Sequence, residues 1–513
     1  MSARIRFPKK SKGKQHNKPQ PVNQDDFYLE AIDFEEQAER WLLSDIKKAL
    51  RLYLKAYEMY EMGLGAPEQT EKCTYNILYN ETRLLLQLHF DYMENNGYIN
   101  ILQYLNLNDI EGVHGILKTL PEIIERFEIV LNKYETIVDT WDLQSNLLNS
   151  YLSLIENYDK CELSSEQILP LVNKFTTLSQ NLILYQINET EKNNEAIIND
   201  TKGESGDDSF TRDSLGDASA KISNDGSGVD VNNEHSTDNG ELMEVSDDVT
   251  SETLSEVLIN CLKFNQSLLE IMIESKFEQE QLLNVVQLNY LDDIVNKQLM
   301  SLNDIIESHS HLGLNMNDIK LVEYAITGIK LLYGNASEQD LEKYLSQPIP
   351  VTIPVIDEID FNLVKIDIIE VAINCVPDDL IAMKWKLCTQ LNVILTETRN
   401  KLTALRQSII ASHDQSDKSK LSHVVFQLCD VTITAASNEL QRYQIKATAS
   451  NEDPSASKIQ AILLKNAKTL LTNAQIISEK SCGMQETIVD KLKRNYIYND
   501  AKNRIATLPL SID

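Results

Sequence analysis

The sequence predicts an all-α protein, with helical hairpins stacked as a solenoid and interrupted by an acidic insert. Three observations carry that expectation. Glycine and proline are few, 16 and 12 in 513 residues, which leaves little to serve tight strand turns. No proline occurs between Pro170 and Pro348, and a group of the glycines falls between Gly203 and Gly240. Outside that patch, apolar residues recur at helical spacing in long runs rich in Leu, Ile, Asn, Glu and Lys.

The chain opens on a basic arm, residues 1–26. Arg4, Arg6, Lys9, Lys10, Lys12, Lys14 and Lys18 all precede the first acid, Asp25, and Pro8, Pro19 and Pro21 break any helical period. The cluster Lys9, Lys10, Lys12 and Lys14 reads first as a short nuclear-localisation signal, whose lysines fit an acidic receptor groove. It reads second as a contact to RNA or ribosomal phosphates, and otherwise as a solvated tail.

Residues 27–187 form the first helical region. Its organising stretch is Ala31–Met62, two helices about a turn at Ser44–Asp45. The second helix carries Ala49, Tyr53 and Ala56 at i, i+4 and i+7, and Trp41 closes the first. Small residues let paired helices approach, and the aromatic fills the groove between them. Residues 44–59, SDIKKALRLYLKAYEM, resemble the second half of a tetratricopeptide (TPR) repeat. The first helix departs from that pattern, with Asp33 at the family's Trp position and Gln37 at its Gly position. The resemblance implies a TPR-like stack. A chaperone-binding clamp does not follow, because Phe34 and Ala38 stand where its Lys and Asn belong. Further helices are expected after Pro67, after Pro121 and over 142–158.

Residues 188–252 change character and are expected to form a disordered insert rich in Ser, Asp and Gly. From 186 to 256 there are 19 acids and 4 bases, with almost no aromatic residue. Such a segment has too little apolar surface to offset its ordering entropy. Thr201, Ser205, Ser214 and Thr253 each precede an acid by three residues, a phosphorylation pattern for acidophilic kinases.

Helical pattern resumes over 253–508. The proline-bearing QPIPVTIPVIDEID, residues 347–360, is expected to be an extended connector. Near the end Ala467, Leu471 and Ala474 repeat the spacing of Ala49, Tyr53 and Ala56, so each helical region holds one such packing stripe.

Motifs for chemistry are thin. No phosphate loop, no dinucleotide fingerprint, no nucleophile elbow and no H-E-x-x-H occurs. His309 and His311 are two apart and do not share a helix face, so they predict no metal centre. The seven cysteines are widely spaced and suit a reducing compartment. No catalytic residue, metal or cofactor is expected. A net charge of −30 disfavours whole-chain attraction to nucleic acid or anionic lipid and favours basic partners. No run is apolar enough for a membrane span, which places the chain in cytoplasm or nucleus.

The expectation is therefore a non-catalytic helical-repeat adaptor or escort for protein partners, basic ones such as a histone or ribosomal protein among them. Its plan, TPR-like helices broken by an acidic loop, is similar to that of NASP-type histone chaperones. The alternative is a ribosome- or RNA-associated factor docking through the basic arm, the only part suited to nucleic acid.

Overall fold

The computed structural model describes residues 21–42, 44–94, 99–203, 249–277, 282–334, 337–347, 355–377, 380–412, 418–449, 456–483 and 486–509. Among them there is no strand, and the fold is all-α.

The first three helices are α1 (Gln24–Leu42), α2 (Ile46–Leu64) and α3 (Glu71–Leu88). Asp45 starts α2 by accepting from the Lys48 N–H, and Thr70 starts α3 by accepting from the Cys73 N–H. α1 pairs closely with α2, and both touch α3. Ala49, Tyr53 and Ala56 are fully buried on α2. Trp41 is not part of this packing. It lies at the end of α1, 37% exposed, with the Lys48 ammonium 3.1 Å from its ring centroid. The physical reason is position: the last turn of α1 has passed the hairpin's apolar seam, and a cation–π contact covers the ring instead.

α3 runs directly into a π-helical turn, His89–Glu94, and short 3₁₀ turns lead to α4 (Leu120–Tyr134) and α5 (Trp141–Glu156). Pro121 sits at the start of α4, where Glu122 accepts from the Thr119 N–H at 2.8 Å.

The next helix, α6, spans Ser165–Gly203 and corrects the expected boundary at 188. The stretch from Asn188 to Lys202 has no glycine or proline, Ile187 and Thr190 are buried, and Asn193 donates to the Val249 carbonyl at 3.1 Å. Helical spacing of core contacts thus outlasts the change in composition. α7 (Ser251–Phe277) packs back against α6, with Phe175 stacked on Phe264 at 3.6 Å.

α8 (Val285–Ser308), α9 (Met316–Tyr333) and the short α10 (Glu338–Leu345) follow. α11 (Val355–Cys375) corrects the extended reading of 347–360 in its second half, since the helix already includes Val355–Asp360. The rest of that connector, residues 348–354, lies outside the described residues.

The last four helices are α12 (Ile381–Ala411), α13 (Leu421–Ala449), α14 (Ala456–Glu479) and α15 (Ile488–Thr507). Ala467, Leu471 and Ala474 are buried on α14. One apolar cluster runs from Ala31 to Ala435, and a smaller one joins Val425, Phe426, Cys429, Cys482 and Ile497. Helices pack mainly on the next element or the next but one. That is the contact pattern of a linear stack.

Candidate interaction face and cleft

Carboxylates in this stack fall into two kinds. The first is clamped. Glu35 on α1 accepts from Tyr60 of α2 at 2.5 Å and pairs with Arg83 of α3, which joins three helices at one buried group. Glu81 pairs with Arg126 of α4 at 2.6 Å. Near the end of the chain Glu439 pairs with Arg442 at 2.7 Å and accepts from Asn466 at 3.0 Å, while Glu486 pairs with Arg494. These are structural.

The second kind is raised in pKa chiefly by burial, and in some of them neighbouring carboxylates add to it. Burial raises the pKa of Glu39 on α1, and Glu35 and Asp91 add to it, while Arg83 works against them. Burial pushes Asp91, in the π-helical turn, up to about 6 despite a hydrogen bond from Gln87. Three residues on, Glu94 acts on Glu156 at the end of α5, and so does Glu270 of α7. Glu156 is raised by burial, with Lys263 as the opposing cation. Glu270 is likewise raised by burial and by Glu274. Asp367 on α11 is pushed up to about 7 by burial, then by Glu370 and Glu270.

Glu156 and Asp367 are exposed to water, yet the protein around them penalises their charge. The acidic face is thus two groups, Glu39 with Asp91 on α1 and the π-helical turn, and Glu156, Glu270 and Asp367 on α5, α7 and α11.

A cleft of about 590 Å³ opens beside the same turn, lined by His89, Met93 and Glu94, by Leu120 and Pro121 at the start of α4, and by Asn157, Lys160 and Cys161 after α5. Glu94 accepts from Asn157 Nδ2 at 2.7 Å and from Ser153 Oγ at 3.3 Å, and the His89 ring lies 3.8 Å away. Burial lowers the His89 pKa, while a bond to the Lys118 carbonyl and Glu94 support its charged form. Burial also raises the Cys161 thiol. Those directions favour neutral imidazole and protonated thiol, the reverse of a thiolate–imidazolium pair. The π turn supplies His89, Met93 and Glu94 to this wall.

The other sequence-derived sites lie elsewhere. Lys9, Lys10, Lys12, Lys14, Ser205 and Ser214 are outside the described residues, as is the side chain of Thr201. Thr253 stands in the first turn of α7, where its hydroxyl accepts from the Thr250 N–H at 3.1 Å and donates to the Thr250 carbonyl at 3.0 Å. That makes it part of a helix cap. His309 bonds the Ile305 carbonyl through Nδ1 at 2.9 Å, with the His311 ring 6.3 Å off.

Family models match two parts of the chain, a YNL193W-like protein middle domain over residues 159–334 and a YNL193W C-terminal domain over 355–511. Together they cover more than half of it. The chain belongs to the YNL193W-like family. The "Uncharacterized protein YNL193W" of Saccharomyces cerevisiae is 44% identical over 521 residues, spanning 97% of this chain and 92% of the yeast protein. A solved circular tandem repeat protein covers 94% of this chain and 97% of its own at 10% identity, but a TM-score of 0.24 gives that likeness no weight. Neither family match is a TPR or a histone-chaperone model, so both resemblances reduce to helical hairpins in general. The family's middle domain runs from α6 to α9 across the acidic insert, and its C-terminal domain begins at α11. Of the acidic face, Glu270 lies in the first and Asp367 in the second, while Glu39, Asp91 and Glu156 precede both.

Sequence reasoning did not single out this face. Its members are up to 328 positions apart, from Glu39 to Asp367, and no spacing rule links carboxylates brought together by stacking. The one available signal was scarcity of nearby bases: 21–203 holds 31 acids against 14 bases.

Proposed function

We propose that this chain is a non-catalytic helical adaptor or escort whose acidic face holds basic segments of partner proteins, such as a histone or ribosomal protein. The observation that supports it is that Glu270 adds to the burden burial places on both Glu156 and Asp367, a burden that eases when a cation is brought in. The import-signal reading of Lys9–Lys14 would let such an escort work in nucleus and cytoplasm.

Fluorescence anisotropy with a lysine-rich peptide of about 20 residues tests it. Binding at 50 mM salt should fade towards 0.5 M, where the Debye length is about 4 Å. Glu270→Gln with Asp367→Asn should weaken it roughly tenfold, about 1.4 kcal/mol. Affinity should also fall as pH drops through 7 to 5, where Asp367 and Asp91 take up protons. Unchanged affinity in the double variant would remove the acidic face from the reading. The second reading, an RNA- or ribosome-associated factor, is favoured by the seven bases of the arm. It requires salt-sensitive RNA binding that is lost on deleting residues 1–20.

A further inference from the structure

The cleft beside the π-helical turn sets two hydrogen-bond acceptors side by side on one wall. The contact between His89 Nδ1 and the Lys118 carbonyl, 3.3 Å long, places the ring hydrogen on Nδ1, because a carbonyl oxygen only accepts. In the neutral ring Nε2 is then an acceptor, and it stands 3.8 Å from Glu94 Oε2, a second acceptor. Asn157 and Ser153 each donate to one oxygen of Glu94 and hold it in place. A carboxylate has about four lone-pair sites, so capacity is left for a ligand. Both side chains are mostly shielded, with 14% of His89 and 19% of Glu94 exposed.

Beside this pair the lining is apolar, from Met93, Ile99, Leu120 and Pro121. At about 590 Å³ the cleft is within the range of small-molecule sites, about 300–1,000 Å³. Glu162, also in the lining, has a φ of 53°, the left-handed backbone that glycine adopts at lower cost. A second carboxylate thus stands at the cleft in a position where a side chain is conformationally expensive. Lys160, the cation among the lining residues, is exposed and donates to Asn157 Oδ1 at 3.0 Å. Solvent screens its charge, and its hydrogen bond serves the amide that holds Glu94.

We propose that this cleft binds an organic cation, a primary ammonium or guanidinium on an apolar stem, whose N–H groups bridge Glu94 and His89 Nε2. Two acceptors 3.8 Å apart suit a head group with N–H donors in more than one direction, and the apolar lining suits the stem. The same chemistry is offered by a free amine and by an arginine or lysine side chain of a protein segment. The site needs neither Glu270 nor Asp367, so it stands or falls separately from the acidic face. A protonated His89 supplies its own N–H to Glu94, so proton and ligand compete. The charged and titratable groups about that ring are Glu94 in its own turn, Lys118 and Glu122 at the start of α4, paired at 4.0 Å, and Lys160, Cys161 and Glu162 after α5. Of these, Glu94 is in ion-pair range of the ring.

Titrations of the full chain, labelled at its methionine methyl groups and read by NMR at Met93, test this with three probes of one shape: phenylbutylamine, phenylbutanol and phenylbutyrate. The amine should shift Met93 and bind about tenfold tighter than the alcohol, with the butyrate weaker still. Glu94→Gln keeps an acceptor for Asn157 and should reduce the amine to the affinity of the alcohol, whose own unchanged binding checks the fold. From pH 7.5 to 5.5 the wild type should lose roughly threefold in affinity for the amine, and His89→Leu should remove that dependence. A capped pentapeptide with a central arginine, titrated alongside, assigns the source. Binding of either cation that requires Glu94 supports the inference, and a peptide about tenfold tighter than the amine makes the ligand a protein side chain. Four results overturn it: a Met93 signal that neither cation shifts, an alcohol or butyrate that binds as tightly as the amine, a Glu94→Gln variant that holds the amine as wild type does, or a pH dependence unchanged in His89→Leu.

Discussion

The two ends of the stack, α1–α3 and α13–α15, use the same packing and opposite surfaces. Each has a helix whose small–large–small stripe is buried, Ala49–Tyr53–Ala56 in one and Ala467–Leu471–Ala474 in the other. Each has an acid held by an arginine, Glu35 by Arg83 and Glu486 by Arg494. Outward, the first shows Glu36, and the second Lys465 and Lys468. Packing determines that helices stack, and it is silent on what the stack binds. That choice is left to side chains the core does not need.

The largest expected effect separates the two clamps. Arg83→Met leaves Glu35 buried without its cation and should cost about 3–5 kcal/mol, read as a lower urea midpoint. Arg494→Met should cost a similar amount, because Glu486 is also mostly buried. If only one variant is destabilised, the ends are not equivalent. A smaller effect tests the stripes. Ala49→Leu and Ala467→Leu should each overpack a fully buried contact and cost roughly 1–3 kcal/mol, with melting temperature as the measure.

The smallest effect has the opposite sign and belongs to the acidic face. Asp367 is raised in the folded chain to about 7, from an ordinary value of 3.8. Below the ordinary value both states hold the proton and there is no penalty. As pH rises towards 7 the unfolded chain gives the proton up more readily, so folded stability declines. Asp367→Asn should therefore raise the melting temperature at pH 8, and the gain should shrink as pH is lowered to 5. A gain independent of pH would mean that packing, not charge, is being relieved.

Local features were legible in the sequence where local chemistry decides them. Asp45, in the turn expected at Ser44–Asp45, starts α2, and Pro121 stands in the first turn of α4 as expected. Ala49 and Ala56 announce a buried seam by size and spacing alone. Trp41 misled because an aromatic at a helix end satisfies helical spacing whether a core or a lysine covers it. The start of the insert misled because composition changes at 188 whereas burial, in Ile187 and Thr190, continues along the same helix. Val355–Asp360 misled because three prolines upstream suggested extension, although the last of them is a good helix neighbour. The acidic face was beyond reach, since stacking alone assembles it.

Contacts confined to near neighbours also bear on how the chain is made. Each hairpin can close as soon as its own second helix has left the ribosome, without waiting for distant partners. The exception is α7, whose contacts with α5 and α6 both span residues 204–248. Closing a loop of that length costs about 2 kcal/mol more than closing one of five residues. Everything up to α6 can therefore settle as a folded unit while α7 is still being synthesised. The join between α6 and α7 is then the step at which synthesis and folding wait for each other.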